Sequence, residues 1–321
     1  MNHIKKSLFL SVAMTIMISL FSAEASAEKK IGILMFTEDI RYHESKNGII
    51  DQLKENGFGE AAAKYTIENA GGSKAKAAEL AQKFAEAKMN LIFTIGTSAT
   101  IPVSKAIKDV PIVFCTVYDP VEAGIAKDWK SSGNNTTGST TKFPMSKIVN
   151  SLKDFAPVKR LAVLYTPGEK NSELQLKELQ GVQDDAQIRV IPIILTKKEE
   201  VAQALSEIVH RADAFYLTGS SIIGETVPII VDIANKAKVI TITHLDDLVE
   251  KGALIGVCPN SYLVGRLAGK KAVKILKGAK PSSIPIETDK KLDLIINMNT
   301  AKAGQFQIPP EFMKKVTKKI Q

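Results

Sequence analysis

The feature that most constrains this chain is a strand-turn-helix signature that occurs twice. Leu91–Ile95 is a continuous apolar run of strand length, and Gly96-Thr97-Ser98 then opens a helical pattern through Val103, Ala106 and Ile107. A parallel strand buried on both faces reads this way, and its turn delivers a helix N-terminus to the carboxyl edge of the sheet. In residues 213–221, Leu217-Thr218-Gly219-Ser220-Ser221 lies over Thr94-Ile95-Gly96-Thr97-Ser98 at an offset of 123. Two further pairs match in the same order: residues 32–37 with 160–166, and residues 110–116 with 237–243 at an offset of 127. Helical patterns separate these strands, so the chain reads as α/β, two βαβαβ lobes of similar build. Two such lobes facing each other make a cleft.

Ligands of open α/β sheets bind where strand ends meet helix N-termini. On that rule Thr97 and Ser98 face the cleft, although either would serve equally well as an ordinary N-cap. Asp119, before Pro120 at the end of the strand pattern 110–117, either closes a turn or points into the cleft. In the second lobe the first strand ends in Tyr165-Thr166-Pro167-Gly168. Asn171 or Ser172 beyond it is a candidate N-cap for the next helix as well as a candidate cleft residue.

Residues 1–27 read as a secretory signal: Lys5 and Lys6, an apolar core over 8–21, and the cleavage pattern Ala25-Ser26-Ala27. No Cys follows that core, so no lipid anchor is expected, and the mature chain is expected in the periplasm. With Lys5, Lys6 and Glu24 removed, 43 basic and 34 acidic residues become 41 and 33. The lysines are dispersed with no aromatic-interleaved block, which argues for a solvated surface and against nucleic acid. Cys115 and Cys258 fall in different lobes. A bridge between them would tie a cleft that has to move, which argues against a disulfide. His43, His210 and His244 have no second ligand at helical or strand spacing, so no metal is expected. Nor is there a nucleophile elbow, a catalytic carboxylate pair or a G-x-G-x-x-G after the first strand, and neither an enzyme nor a cofactor is expected.

The stretches KKIGILMFTE, LIFTIGTSAT, VPIVFCTVYDPVEAG, NNTTGST, LAVLYTPGEKNS, DAFYLTGSS, LVEKGALIG, YLVGRLAGKKAVKILKG and LDLIINMNTAKAGQFQIPPE follow one another along the mature chain. In that order they resemble the ABC-transporter substrate-binding proteins of type I periplasmic-binding fold, a family that includes binders of aromatic amino acids. The resemblance implies two Rossmann-like βαβ lobes joined by a three-segment hinge, crossed near Thr140, Val257 and Lys280. The lobes would then comprise 28–141 with 258–282 and 142–257 with 283–321, and the helix over 262–277 would pack on the first lobe. It implies ligand contacts from Thr97, Ser98, Asp119, Tyr165, Asn171 and Ser172. Ser220, His244 and Asn260, at second-lobe strand ends, complete the candidate set.

The chain departs from that family at informative places. Thr218-Gly219-Ser220 stands where relatives commonly carry Thr-Asp-Asn. His244-Leu245 stands for Ser followed by an acid, and Cys258-Pro259-Asn260-Ser261 for Gly-Ile-Asp-Tyr. Acids that could pair a ligand ammonium are thus missing, and an α-amino acid ligand requires Asp119 or Glu169 in their place. His244 either meets the ligand or caps the following helix. The expected function is extracytoplasmic binding of a small polar or aromatic molecule, an amino acid among the candidates. Lobe closure and delivery to a membrane permease by a monomer would follow. A sensor feeding a membrane receptor is the alternative.

Overall fold

The computed structural model describes residues 28–321, so the expected signal segment lies outside the described residues. Five strands of the first lobe are β1 (Lys29–Met35), β2 (Ala63–Asn69), β3 (Leu91–Ile95), β4 (Ile112–Val117) and β5 (Thr136–Thr140). The second lobe holds β6 (Arg160–Tyr165), β7 (Arg189–Ile194), β8 (Ala214–Leu217), β9 (Ile240–Thr243) and β10 (Ile255–Pro259). The sheets run β2-β1-β3-β4-β5 and β7-β6-β8-β9-β10, parallel throughout these strands. One strand order therefore occurs twice, and β1/β6, β3/β8 and β4/β9 are the three pairs that match in sequence. β11 (Glu287–Thr288) adds to the first sheet beside β5, while β12 (Leu292–Asn297) and β13 (Lys318–Ile320) extend the second, β12 antiparallel to β10. This is the type I periplasmic-binding architecture.

The unbroken apolar runs are explained by cores on both faces of a sheet. In β6, Leu161 and Val163 enter one core while Ala162 and Leu164 enter another; in β8, Ala214 and Tyr216 divide from Phe215 and Leu217 in the same way. Alternate side chains point to opposite faces, so a strand covered by helices on both sides must be apolar throughout.

The helices that matter for the site are α1 (Ile40–Lys54), α2 (Lys74–Glu86), α3 (Thr97–Ala106), α4 (Ser146–Phe155), α5 (Lys170–Val182), α6 (Val201–Ile208), α7 (Ser221–Lys236), α8 (Asp246–Glu250) and α9 (Ser261–Leu276). The chain passes to the second lobe after β5, where Ile148, Val149 and Leu152 of α4 are buried. It returns after β10, because Val264, Ala268 and Ala272 of α9 belong to the first-lobe core. There α9 lies almost backbone to backbone on α1. A Cβ at Gly265 would stand 2.1 Å from the Ser45 carbonyl oxygen, and one at Gly48 2.1 Å from that of Tyr262.

The third passage differs from expectation. Glu287 and Thr288 still pair with Ser139 and Thr140 of the first sheet, so the chain crosses over 289–291 and not near Lys280. Burial holds the intervening segment: Ile284 enters the first-lobe core, and Ile286 packs with Phe114 and Val117 while its N–H donates to the Trp129 carbonyl.

Candidate functional site

The carboxyl ends of the two sheets face each other across a narrow space of about 20 Å³ lined by both lobes. That is room for about one water molecule, so a small-molecule ligand could enter only with the lobes further apart.

From the first lobe, α3 presents its N-terminus. Gly96, at φ 103°, makes the turn that a residue with a Cβ would resist, and among the described residues no side chain caps the helix that follows. Thr97 and Ser98 both line the space. Thr97 Oγ1 also accepts from the Tyr118 N–H at 3.1 Å, which ties the helix start to the end of β4. First-turn amides and the helix dipole favour an anionic group here. Thr116 lines the same wall at φ 55°, an uncommon region for a β-branched residue, with its hydroxyl 2.8 Å from that of Ser45. Phe36, Tyr42 and Tyr118 supply aromatic surface.

From the second lobe come Glu169, Asn171, Gln175, Gly219 and Leu245. Asn171 Nδ2 donates to the Gly219 carbonyl at 2.6 Å, which leaves its buried Oδ1 with no hydrogen-bond partner among the described residues. A buried acceptor without a partner calls for a donor. A Cβ at Gly219 would meet Asn171 Nδ2 at 2.9 Å, so Asn171 occupies the room that a side chain at 219 would need. The Glu169 carboxylate accepts from the Ser221 N–H at 3.1 and 3.2 Å. Burial raises its pKa against that hydrogen bond and the charges of Lys74 and Arg41.

Several expected contacts have structural employment instead. Asp119 is 2 % exposed; it accepts from the Val121 and Glu122 N–H groups and pairs with Lys142, so it closes the turn. Ser172 accepts from the Thr166 N–H and bonds the Thr218 hydroxyl at 2.6 Å. Ser220 caps α7 and bonds Thr166 Oγ1 at 2.6 Å. Asn260 caps α9 through the Leu263 N–H. Tyr165 packs half-buried against the second-lobe core. None of these five is among the residues lining the space. Nor does Asn171 or Ser172 cap α5, which begins at Lys170 with Glu169 in the cap position.

His244 is likewise a buried structural residue, 2 % exposed, and its tautomer follows from its neighbours. The Gly219 N–H donates to Gln175 Oε1 at 2.9 Å, which leaves Gln175 Nε2 as donor to His244 Nε2 at 3.2 Å. Nδ1 therefore carries the proton and donates to the Tyr216 oxygen at 2.7 Å, while the Tyr216 hydroxyl turns toward Met145 Sδ at 3.7 Å. Burial pushes the imidazole pKa down to about 3, with the Arg41 charge adding to the effect.

Sequence reasoning missed Arg41, Tyr42 and Gln175. Arg41 is 4 % exposed and lines the space while joining the lobes: Nη1 donates to Asp247 at 2.5 Å and Nη2 to Asp39 at 2.7 Å. Its guanidinium carbon lies 4.6 Å from the centre of the Tyr42 ring. Lys251 Nζ reaches Asp39 Oδ1 at 3.1 Å from the other lobe. Burial alone would raise Asp39, but Arg41, Thr37 and Lys251 together hold it below the usual carboxylate range. Asp247 is pushed up to about 6 by burial, against the charge of Arg41 and with those of Asp39 and Asp246. On the hinge side, Tyr118 donates to Glu178, which also pairs with Lys142 at 2.8 Å.

A tyrosine-binding protein of Clostridioides difficile is 30 % identical over 287 residues, covering 88 % of this chain and 83 % of that one. The structure of an ABC domain in complex with L-Trp from Streptococcus pneumonia superposes with a TM-score of 0.86 at 27 % identity, covering 92 % of this chain and all of that one. A ligand-free, open substrate binding protein with adhesive properties from Clostridium difficile gives 0.73 at 32 % identity, covering 91 % of this chain and all of that one. The model of the ABC transporter substrate binding protein family matches residues 30–320, and the chain belongs to that family.

Proposed function

We propose that this chain is the extracytoplasmic receptor of an ABC importer and that it encloses an aromatic amino acid between its lobes. The observation that carries the reading is the complementary pair of walls. The uncapped start of α3, with Thr97 and Ser98, suits a carboxylate. Opposite it, the orphan Asn171 Oδ1 and the Glu169 carboxylate suit an ammonium. Glu169 takes the role of the acids absent at positions 219 and 245, and Asp119, committed to Lys142, does not. Phe36, Tyr42, Tyr118 and Leu245 give a side chain its apolar surroundings. Each helix-terminal contact contributes about 0.3 to 1 kcal/mol when exposed and up to about 2 when partly buried. Micromolar binding requires about 8 kcal/mol, so both walls and burial of the ring are needed.

Closure of the lobes over the ligand, followed by docking of a monomer on a permease, completes the reading. It is supported by a higher TM-score with the L-Trp complex, 0.86, than with the ligand-free, open relative, 0.73, although the latter shares more sequence. No bond-making step is required of the site.

A thermal-shift screen of residues 28–321 against amino acids, nucleosides, organic acids and sugars tests the proposal. A ligand at about 100 times its dissociation constant stabilises by about 2.7 kcal/mol, a shift of several degrees. Shifts with aromatic amino acids are expected. Shifts confined to anions or neutral compounds would replace the substrate class, and no shift with any of them would count against a receptor for these solutes.

A further inference from the structure

We propose that Arg41 is a positioning residue that couples the ligand cavity to lobe closure, as the central member of a four-charge latch with Asp39, Asp247 and Lys251. The inference rests on the two-lobe receptor reading for its purpose, though not for its test.

The latch is built from two short pieces of chain. Asp39 and Arg41 sit at the start of α1, where the chain leaves β1 at the cleft edge. Asp247 and Lys251 are four residues apart, on one face of α8 and its C-terminal cap, and that face meets the start of α1. Both cross-lobe salt bridges join opposite charges: Arg41 with Asp247 at 2.5 Å, and Asp39 with Lys251 at 3.1 Å. Lys251 also donates to the Gly224 carbonyl of α7 at 3.0 Å. Asp39 Oδ2 accepts from Thr37 Oγ1 at 2.7 Å, which fixes the carboxylate toward Arg41.

Two observations separate Arg41 from an ordinary surface ion pair. Its side chain and that of Asp247 are 5 % and 0 % exposed, so opening the lobes exchanges a buried pair for two hydrated charges. Arg41 is also a wall of the cavity, so a ligand and the latch share one side chain. The pairing is incomplete as well, since Asp247 Oδ1 has no hydrogen-bond partner among the described residues. A buried ion pair with an unsatisfied oxygen is close to balance between attraction and desolvation. Removing Arg41 leaves Asp247 for the closed form to bury without its cation, and removing Asp247 leaves the buried Arg41 with Asp39 only, whereas replacing both with apolar groups of similar size removes the penalty together with the attraction. The latch therefore makes closure conditional: it holds the lobes only while Arg41 keeps the geometry that the cavity wall gives it.

The test is small-angle scattering of the ligand-free protein, residues 28–321, as wild type, Arg41→Met, Asp247→Leu and the double variant. Circular dichroism and thermal unfolding establish that each is folded. Both single variants are expected to have a larger radius of gyration than wild type, and the double variant to return toward the wild-type value. Lys251→Met, with its side chain 30 % exposed, serves as the milder variant and should expand less. In parallel, L-tyrosine is titrated as the probe. Its dissociation should be at least tenfold faster in each single variant and largely restored in the double one. Equal radii in all four proteins, or additive effects in the double variant, would overturn the latch. Failure of L-tyrosine to bind wild type while the scattering pattern holds would overturn the receptor proposal and leave the latch standing.

Discussion

Glu169 is the residue on which the chemistry of the proposed site turns. It lines the cavity with its pKa raised by burial, so acid protonates it earlier than an exposed glutamate. An ammonium needs the ionised form. Affinity for an aromatic amino acid should therefore fall as pH is lowered through the raised pKa, and Glu169→Gln should lose roughly tenfold to a hundredfold at neutral pH, in line with a charged hydrogen bond of about 1.5–3 kcal/mol. Calorimetric titration between pH 5 and 8 checks both. His244 gives a second pH effect, this time on stability. Its folded pKa is about 3 against an ordinary 6.5, so between those values the unfolded chain binds the extra proton and stability drops as pH falls. Asp247 opposes this between 3.8 and about 6, because there the folded chain holds the proton. The part of the acid decline due to His244 should be lost in His244→Gln, so its urea midpoint should fall less with acid than that of wild type. Thr97, Ser98 and Asn171 were legible in the sequence because they follow strand ends within a few residues. His244 satisfies the same rule yet is consumed by Gln175 and Tyr216, partners from other strands and helices that spacing does not reveal. Arg41 and Tyr42 were readable in principle as the first turn of the helix after β1, but the apolar positions Ile49, Ile50 and Leu53 draw attention to its far end.

At the scale of elements, the contact between α1 and α9 sets how the returning chain joins the first lobe. Gly48, Gly265 and Gly269 lie along it, each with a neighbouring-helix atom within 2.6 Å of where a Cβ would stand. Two helices this close have no room for a methyl group. Gly265→Ala should lower stability by about 1–3 kcal/mol, seen as a thermal midpoint lower by several degrees. An unchanged midpoint would mean that the helices separate freely. The strands and their repeated order were legible because a parallel strand covered on both faces must be a continuous apolar run, and that run occurs in matched pairs. The third crossing was not legible near its true position. Ile284 and Ile286 hold the segment to the first lobe through contacts with distant residues, whereas Lys280-Pro281-Ser282-Ser283 carries the local signature of a linker.

At the scale of the whole molecule, the two sheets present their carboxyl edges to one shared space, and side chains from both lobes are needed to complete it. In the proposed complex a zwitterion lies across that space, its carboxylate at the start of α3 and its ammonium between Glu169 and Asn171. Gly219→Asp would place a second acid on the ammonium side and push Asn171 aside, so its effect on affinity reports whether the two share a role. The most direct measurement is calorimetric titration of residues 28–321 with L-tyrosine and L-tryptophan and, side by side, with their N-acetyl forms, which keep the carboxylate and the ring but lose the ammonium. The free amino acids are expected to bind, with a loss of at least tenfold on acetylation. Equal or tighter binding of the N-acetyl forms would contradict this placement, and would mean that the second-lobe wall recognises something other than an ammonium.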